Sequence, residues 1–263
     1  AYGVSTGTAL ISYGYLPACA ITKTVTINPL PATITGSGFV CAGSSATLSC
    51  TTTGGYWAGS NSNAIVGSLT GNVTGVFPGT DTISYILPSG CRSIFVITIN
   101  PVPVPITGTR VICDSTSTIL TDGTAGGYWS SLTPGIAAIG PSTGMMTGVS
   151  AGITFVTYTL SPGCFAVASV TVNPVPLPIT GPSHLCVGSS VTLSDLTPGG
   201  TWSFSPPGII TLGSTTGIVT GVSAGSVIAT YTLPVGCFAT TYITTDALPS
   251  PIAGILSVCT GDS

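Results

Sequence analysis

One spacing constrains this chain more than any other feature. Trp57, Trp129 and Trp202 lie 72 and 73 residues apart, and Tyr13, Tyr85, Tyr158 and Tyr231 keep the same period. Two cysteine series keep it too: Cys41, Cys113, Cys186, Cys259, and Cys19, Cys91, Cys164, Cys237. Three residue types in one register define a tandem array whose repeat is one structural unit. Pro-rich joints separate the units at Asn28-Pro29-Leu30-Pro31, Asn100-Pro101-Val102-Pro103 and Asn173-Pro174-Val175-Pro176, with a degraded copy at Asp246-Ala247-Leu248-Pro249. Alternating prolines favour extended, semi-rigid chain and remove the backbone donors that would let strands pair across a joint. The expected organisation is three whole repeats, 29–100, 101–173 and 174–246. The C-terminal part of a repeat precedes them at 1–28, and the N-terminal part of another follows at 247–263, as in a segment of a longer array.

Within a repeat, short runs rich in Val, Ile and Thr alternate with turn signals. In the third repeat, Leu177–Gly181, Ser190–Leu196, Thr201–Phe204, Ile209–Leu212, Ile218–Val222, Val227–Leu233 and Phe238–Thr245 read as seven strands. His184 falls in a loop on this reading, and each of Cys41, Cys113 and Cys186 stands just before a second strand. With 36 Gly and 21 Pro in 263 residues, long helices are not expected. Seven short, regularly spaced strands per unit predict an all-β, antiparallel sandwich with the Trp and Tyr series as core anchors. A unit of this size buries only about 60% of its unfolded surface, so it gains from covalent staples.

Only nine residues are charged: Lys23, Arg92 and Arg110 against six Asp, with no Glu. The net charge of −3 offers no footprint for nucleic acid and no basic cluster for anionic lipid. Thr, Ser, Gly or Pro interrupts every apolar run short of about 18 residues, so insertion into a membrane by a helix is not expected. A surface this poor in charge resists self-association weakly, which points to a subunit meant to assemble.

Asn173–Gly181 (NPVPLPITG), Cys186–Leu193 (CVGSSVTL), Gly199–Trp202 (GGTW), Gly217–Gly225 (GIVTGVSAG) and Thr230–Cys237 (TYTLPVGC), with their counterparts in the other repeats, resemble bacterial Ig-like (Big-type) tandem repeats. Such repeats occur in secreted, surface and gliding-motility-associated proteins of Bacteroidota-type bacteria. The resemblance covers essentially the whole chain. It implies tandem Ig-like sandwiches and an extracellular or cell-surface location, and it leaves the role open among filament element, adhesin stalk and adhesive module.

Nine cysteines in a β-repeat chain fit an oxidising compartment. With no CxxC pair and His184 the single histidine, neither a zinc centre nor a redox motif is expected. Two disulfide maps stay open. One joins cysteines within a repeat, as Cys41–Cys91, Cys113–Cys164 and Cys186–Cys237. In an Ig-like strand order, however, those two positions lie at opposite ends of a sandwich, roughly 20 Å apart by strand length, beyond the roughly 7 Å that a disulfide spans between Cα atoms. The same order predicts bonds from one repeat to the next, Cys41–Cys164 and Cys113–Cys237, leaving Cys19, Cys91, Cys186 and Cys259 to partners in other units or chains. Cys50, whose counterparts are Asp122 and Asp195, is read as a free thiol, with a bond to a neighbouring chain as the alternative.

No catalytic constellation is visible. One His without a nucleophile motif is not a triad, and Asp122 and Asp195 occupy equivalent places in different repeats rather than one site. No DxDxDG calcium loop occurs. No enzyme activity, cofactor or metal is expected. Asp114-Ser115-Thr116 and Asp81-Thr82-Ile83 match the Asp-Ser/Thr-apolar pattern of O-glycosylation in Bacteroidota-type secreted proteins, so Ser115 and, second, Thr82 are glycan candidates. The function expected is a structural subunit or segment of an extracellular bacterial fibre, self-assembling as a homo-oligomer or through neighbouring repeats. The alternatives are a single-chain adhesin stalk and a carbohydrate-binding surface module, the last needing exposed aromatics such as Tyr15, Tyr56, Tyr128 and Tyr242.

Overall fold

The computed structural model describes residues 2–15, 19–254 and 260, and every named element is a β-strand. It divides into two compact units. One comprises Ala1–Ile106, Asp122–Tyr128 and Thr157–Val167, and the other Thr107–Thr121, Trp129–Val156 and Ala168–Ser263. The chain opens on a hairpin of β1 (Gly7–Gly14) and β2 (Ala20–Ile27), paired from Gly7↔Ile27 to Gly14↔Ala20.

Seven strands follow in the first repeat: β3 (Phe39–Cys41), β4 (Ser45–Thr47), β5 (Tyr56–Gly59), β6 (Ala64–Val66), β7 (Asn72–Gly75), β8 (Gly79–Ile86) and β9 (Arg92–Asn100). They form a four-stranded sheet, β3–β9–β8–β5, and a three-stranded sheet, β4–β7–β6. The middle repeat has β10 (Val111–Cys113), β11 (Ser117–Ile119), β12 (Tyr128–Ser131), β13 (Ala137–Ile139), β14 (Met145–Gly148), β15 (Gly152–Thr159) and β16 (Phe165–Asn173). Its short sheet β11–β14–β13 and its β10–β16 pair match those of the first repeat. The third has β17 (His184–Cys186), β18 (Ser190–Thr192), β19 (Thr201–Ser205), β20 (Ile210–Leu212), β21 (Ile218–Gly221), β22 (Gly225–Thr232) and β23 (Phe238–Asp246), in sheets β17–β23–β22–β19 and β18–β21–β20.

Period-2 alternation builds the core. Along β8, Asp81, Ile83 and Tyr85 point inward, while Thr82, Ser84 and Ile86 point out. Val73, Ile83 and Ile97 are fully buried between the two sheets of the first repeat, with Leu48, Trp57, Tyr85 and Ile99 around them. Val219, Ala229 and Ile243 do the same in the third, with Trp202 and Tyr231. Each such Val or Ile contributes about 2 kcal/mol of burial. Trp57 and Tyr85 pack with their rings tilted by 60° and centroids 4.9 Å apart, and Trp202 and Tyr231 with a tilt of 52° at 4.8 Å.

Two glycine positions are obligatory in this packing. A Cβ on Gly200 would stand 2.5 Å from the Tyr231 ring, and the same holds at Gly55 and Gly127. Gly217 has φ +69° and backs onto the Leu193 carbonyl beside the Trp202 ring. Its counterparts Gly71 and Gly144 have φ +68° and +67°.

The sandwich expected from the sequence is present, with three differences. Leu177–Gly181 is not a strand, because Pro178 removes a backbone donor; only Thr180 pairs, in a single bridge to Ser194. His184 is not in a loop: it opens β17. Cys41, Cys113 and Cys186 therefore close a short strand instead of preceding one. That strand runs parallel to the last strand of its own repeat, as Phe39↔Thr98, Val40↔Ile99 and Cys41↔Asn100 show, so each large sheet holds one parallel pair beside its antiparallel ones.

Candidate functional site

The cysteines are placed by two local devices. Cys41 ends β3, where Ala42 N–H donates to the Asn100 carbonyl and holds the strand tip against the end of β9. Cys164 sits in the tight turn between β15 and β16. There Leu160 N–H donates to the Cys164 carbonyl at 2.8 Å, and Gly163 adopts φ +126°. Leu233 N–H donates to Cys237 at 2.8 Å and Leu87 N–H to Cys91 at 2.9 Å, so the same turn recurs in each repeat.

The structure joins Cys41 to Cys164, with Sγ atoms 1.93 Å and Cα atoms 5.7 Å apart. It joins Cys113 to Cys237, at 1.94 Å and 5.7 Å. Each bond runs from the β3-type strand of one repeat to the hairpin turn of the next, and neither stays within a repeat. Cys164 and Cys237 are buried. Closing a loop of 123 residues stabilises the folded chain by about 5 kcal/mol in the chain-entropy treatment. Cys19, Cys91 and Cys186 are unbonded thiols, and Cys259 lies outside the described residues.

Cys50 has a different role. Asp122 and Asp195, its counterparts, accept the N–H of Thr124 and Thr197 two residues on, at 2.8 and 2.7 Å. The hydroxyls of those threonines accept N–H bonds from the Pro-rich joints, Val104 to Thr124 at 3.1 Å and Leu177 to Thr197 at 2.9 Å. In the first repeat Ala32 N–H donates to Thr52 Oγ1 at 2.9 Å, while the Cys50 thiol donates to the Ala32 carbonyl at 3.4 Å. The free thiol thus ties the joint directly where the aspartates do so through a turn. A cleft of about 400 Å³ beside it is lined by Trp57, Leu69, Thr70 and Tyr85, among others, and by no charged residue.

The remaining polar groups stand apart from one another. His184 Nδ1 lies 3.2 Å from Asp246 Oδ2, both exposed at the parallel strand pair. Asp81 is buried, and its Oδ1 accepts from Ser60 N–H at 2.9 Å, Ser60 Oγ–H at 2.8 Å and Asn61 N–H at 3.2 Å. This carboxylate pins the loop after β5 onto β8. Sequence reasoning passed over it because Thr154 and Val227 replace it in the other repeats. Among the described residues no three His, Cys, Asp or Glu side chains converge as metal ligands. Ser115 is exposed at the tip of the β10–β11 turn with φ +62°, and its hydroxyl donates to Asp114 Oδ1 at 3.3 Å. Thr82 is half-buried mid-strand in β8. Tyr15, Tyr56, Tyr128 and Tyr242 are all exposed.

No protein-family profile matches the chain, and no curated protein does. Among solved structures, the chain is similar to invasin, a bacterial integrin-binding protein, at 13% identity and TM-score 0.38, covering 92% of this chain and 65% of that one. It is similar to the N-terminal eight Ig domains of the Down syndrome cell adhesion molecule at 10% identity and TM-score 0.36, over 92% of this chain and 39% of that one. A C-terminal fragment of intimin, solved with the intimin-binding domain of its translocated receptor, aligns at 15% identity and TM-score 0.29, over 72% of this chain and 62% of that one.

Proposed function

We propose that this chain is a non-catalytic structural element of an extracellular fibre, a tandem of Ig-like sandwiches stapled repeat to repeat, on the surface of a bacterium. The observation that carries the reading is the pair of overlapping disulfides, Cys41–Cys164 and Cys113–Cys237, which tie consecutive repeats covalently. Such bonds persist in an oxidising, extracellular compartment. The near-absence of charge supports packing between chains. The outer face of each three-stranded sheet fits this, because its hydroxyls pair with one another: Ser45 with Thr74 at 2.7 Å, Ser117 with Thr147 at 2.8 Å and Ser190 with Thr220 at 2.7 Å. Ser115, exposed at a turn tip, is the glycan site this reading favours.

Electron microscopy of the native secreted material, without refolding, tests the proposal. Regular filaments with an axial repeat related to the unit support it. Dispersed single chains replace it with an adhesin stalk.

A further inference from the structure

The core tyrosine of each repeat makes an internal comparison. In the middle repeat the Tyr158 hydroxyl donates to the Thr124 carbonyl at 2.7 Å and accepts the Gly127 N–H at 2.9 Å. In the third, Tyr231 does the same with Thr197 and Gly200. In the first, Tyr85 accepts the Gly55 N–H at 2.9 Å, but its own proton finds no acceptor among the described residues. Tyr85 is 6% exposed. A buried O–H without an acceptor is costly, so the position calls for a partner from outside the repeat.

Residue 50 accounts for the difference. Asp122 and Asp195 accept the N–H of Thr124 and Thr197, and so fold the turns whose carbonyls meet the tyrosines. Cys50 stands in their place, and its thiol donates to the Ala32 carbonyl at 3.4 Å instead. The Thr52 carbonyl is therefore not delivered to Tyr85. Two further departures fall at the same spot. Leu69, 86% exposed, stands where the other repeats have Ser142 and Thr215, and Thr53 where they have Ala125 and Pro198. The cleft of about 400 Å³ opens here, with Tyr85, Trp57, Leu69, Cys50, Thr52 and Thr53 in its wall. That volume is in the range of small-molecule sites.

We propose that this cleft of the first repeat is a binding site for a neutral pyranose sugar. The lining selects that class. No charged residue borders the cleft, so an ionic ligand would shed its water without gaining a counter-charge. The Tyr85 O–H needs an acceptor, which a sugar oxygen supplies. The hydroxyls of Thr53 and Thr70 and the backbone of Gly54 and Gly55 offer further polar groups to the ring hydroxyls. Leu69 and Trp57 offer apolar surface to the C–H face of the ring. The middle and third repeats keep the same fold but spend the tyrosine proton internally, so the site belongs to the first repeat alone.

The inference goes beyond the fibre reading and does not depend on it. The full chain, labelled with ¹⁵N, is titrated with glucose, galactose, mannose and N-acetylglucosamine, and with glucuronic acid and glucosamine as charged counterparts. At least one neutral sugar should shift the amides of Gly54 and Gly55 and the indole N–H of Trp57, with the millimolar Kd of a ligand this small. The amides of Gly127 and Gly200 should stay in place. The charged counterparts should bind about tenfold more weakly or not at all. Cys50→Asp restores the turn of the other repeats and gives Tyr85 the Thr52 carbonyl. It should abolish the shifts without lowering the urea midpoint, which separates loss of the site from loss of the fold. Leu69→Ser, at an exposed position, should weaken binding several-fold with the fold intact. A panel that leaves Gly54, Gly55 and Trp57 unmoved overturns the proposal. So do equal shifts in all three repeats, charged sugars binding as tightly as neutral ones, or full binding by Cys50→Asp. Filaments formed by a chain that ignores sugars overturn it and leave the fibre reading standing.

Discussion

Tyr231 donates its hydroxyl proton to the Thr197 carbonyl at 2.7 Å, across 34 residues of chain, and the same oxygen accepts the Gly200 N–H at 2.9 Å. The phenol clasps the turn before β19 onto β22. Tyr231→Phe keeps the ring packing on Trp202 and strands both backbone groups. A loss of about 1–3 kcal/mol is expected, read as a lower denaturation midpoint with an unchanged slope.

Gly217 and Gly199 separate strain from clash. Both have positive φ, +69° and +88°, but a Cβ on Gly199 meets open space while one on Gly217 meets the Leu193 carbonyl. Gly199→Ala should cost only the left-handed backbone penalty, about 1–2 kcal/mol. Gly217→Ala should cost clearly more, because Leu193 and Trp202 must shift. Equal midpoints for the two variants in urea titration would contradict the packing described.

Asp81 holds three donors of the Ser60–Asn61 segment with one oxygen. Asp81→Ala removes three charge-assisted hydrogen bonds to a buried carboxylate and should destabilise the first repeat by about 1–3 kcal/mol. Hydrogen exchange should show faster exchange at Ser60 and Asn61, with the third repeat unaffected.

The staples predict a redox-dependent melt. Cys113→Ala with Cys237→Ala removes up to about 5 kcal/mol of loop-closure stabilisation, and reduction, which opens both bonds, removes more. Calorimetry with and without reductant should show the difference in the wild-type chain. The double variant should retain only the part due to Cys41–Cys164.

Much of this was legible in the sequence because the period is carried by residues with rigid requirements. A Trp, a Tyr and a positive-φ Gly cannot drift, so the repeat and the core anchors follow from spacing alone. Leu177–Gly181 misled because its Leu, Ile and Thr resemble a strand in composition, yet Pro178 inside it removes a donor the pairing would need. β3, β10 and β17 were missed for the opposite reason: three residues such as Phe39-Val40-Cys41 show no period, and parallel pairing to a strand some 60 residues on leaves no local trace. Cys50 was read as a free thiol, as the structure has it, but its bond to the Ala32 carbonyl and the bonds of Asp81 to the Ser60–Asn61 segment were opaque, because a bond that only one copy makes has no echo.

The two disulfides interleave along the chain, Cys41–Cys164 enclosing Cys113 and Cys113–Cys237 enclosing Cys164. Under tension the shortest covalent path from Cys41 to Cys237 therefore crosses to Cys164, runs back to Cys113 and crosses again. Only the segment between Cys113 and Cys164 lies on it. Contour length that would reach about 690 Å if the intervening chain paid out is capped at about 180 Å. Most of two repeats is hidden from the load, and pulling the chain taut would draw on the middle repeat alone.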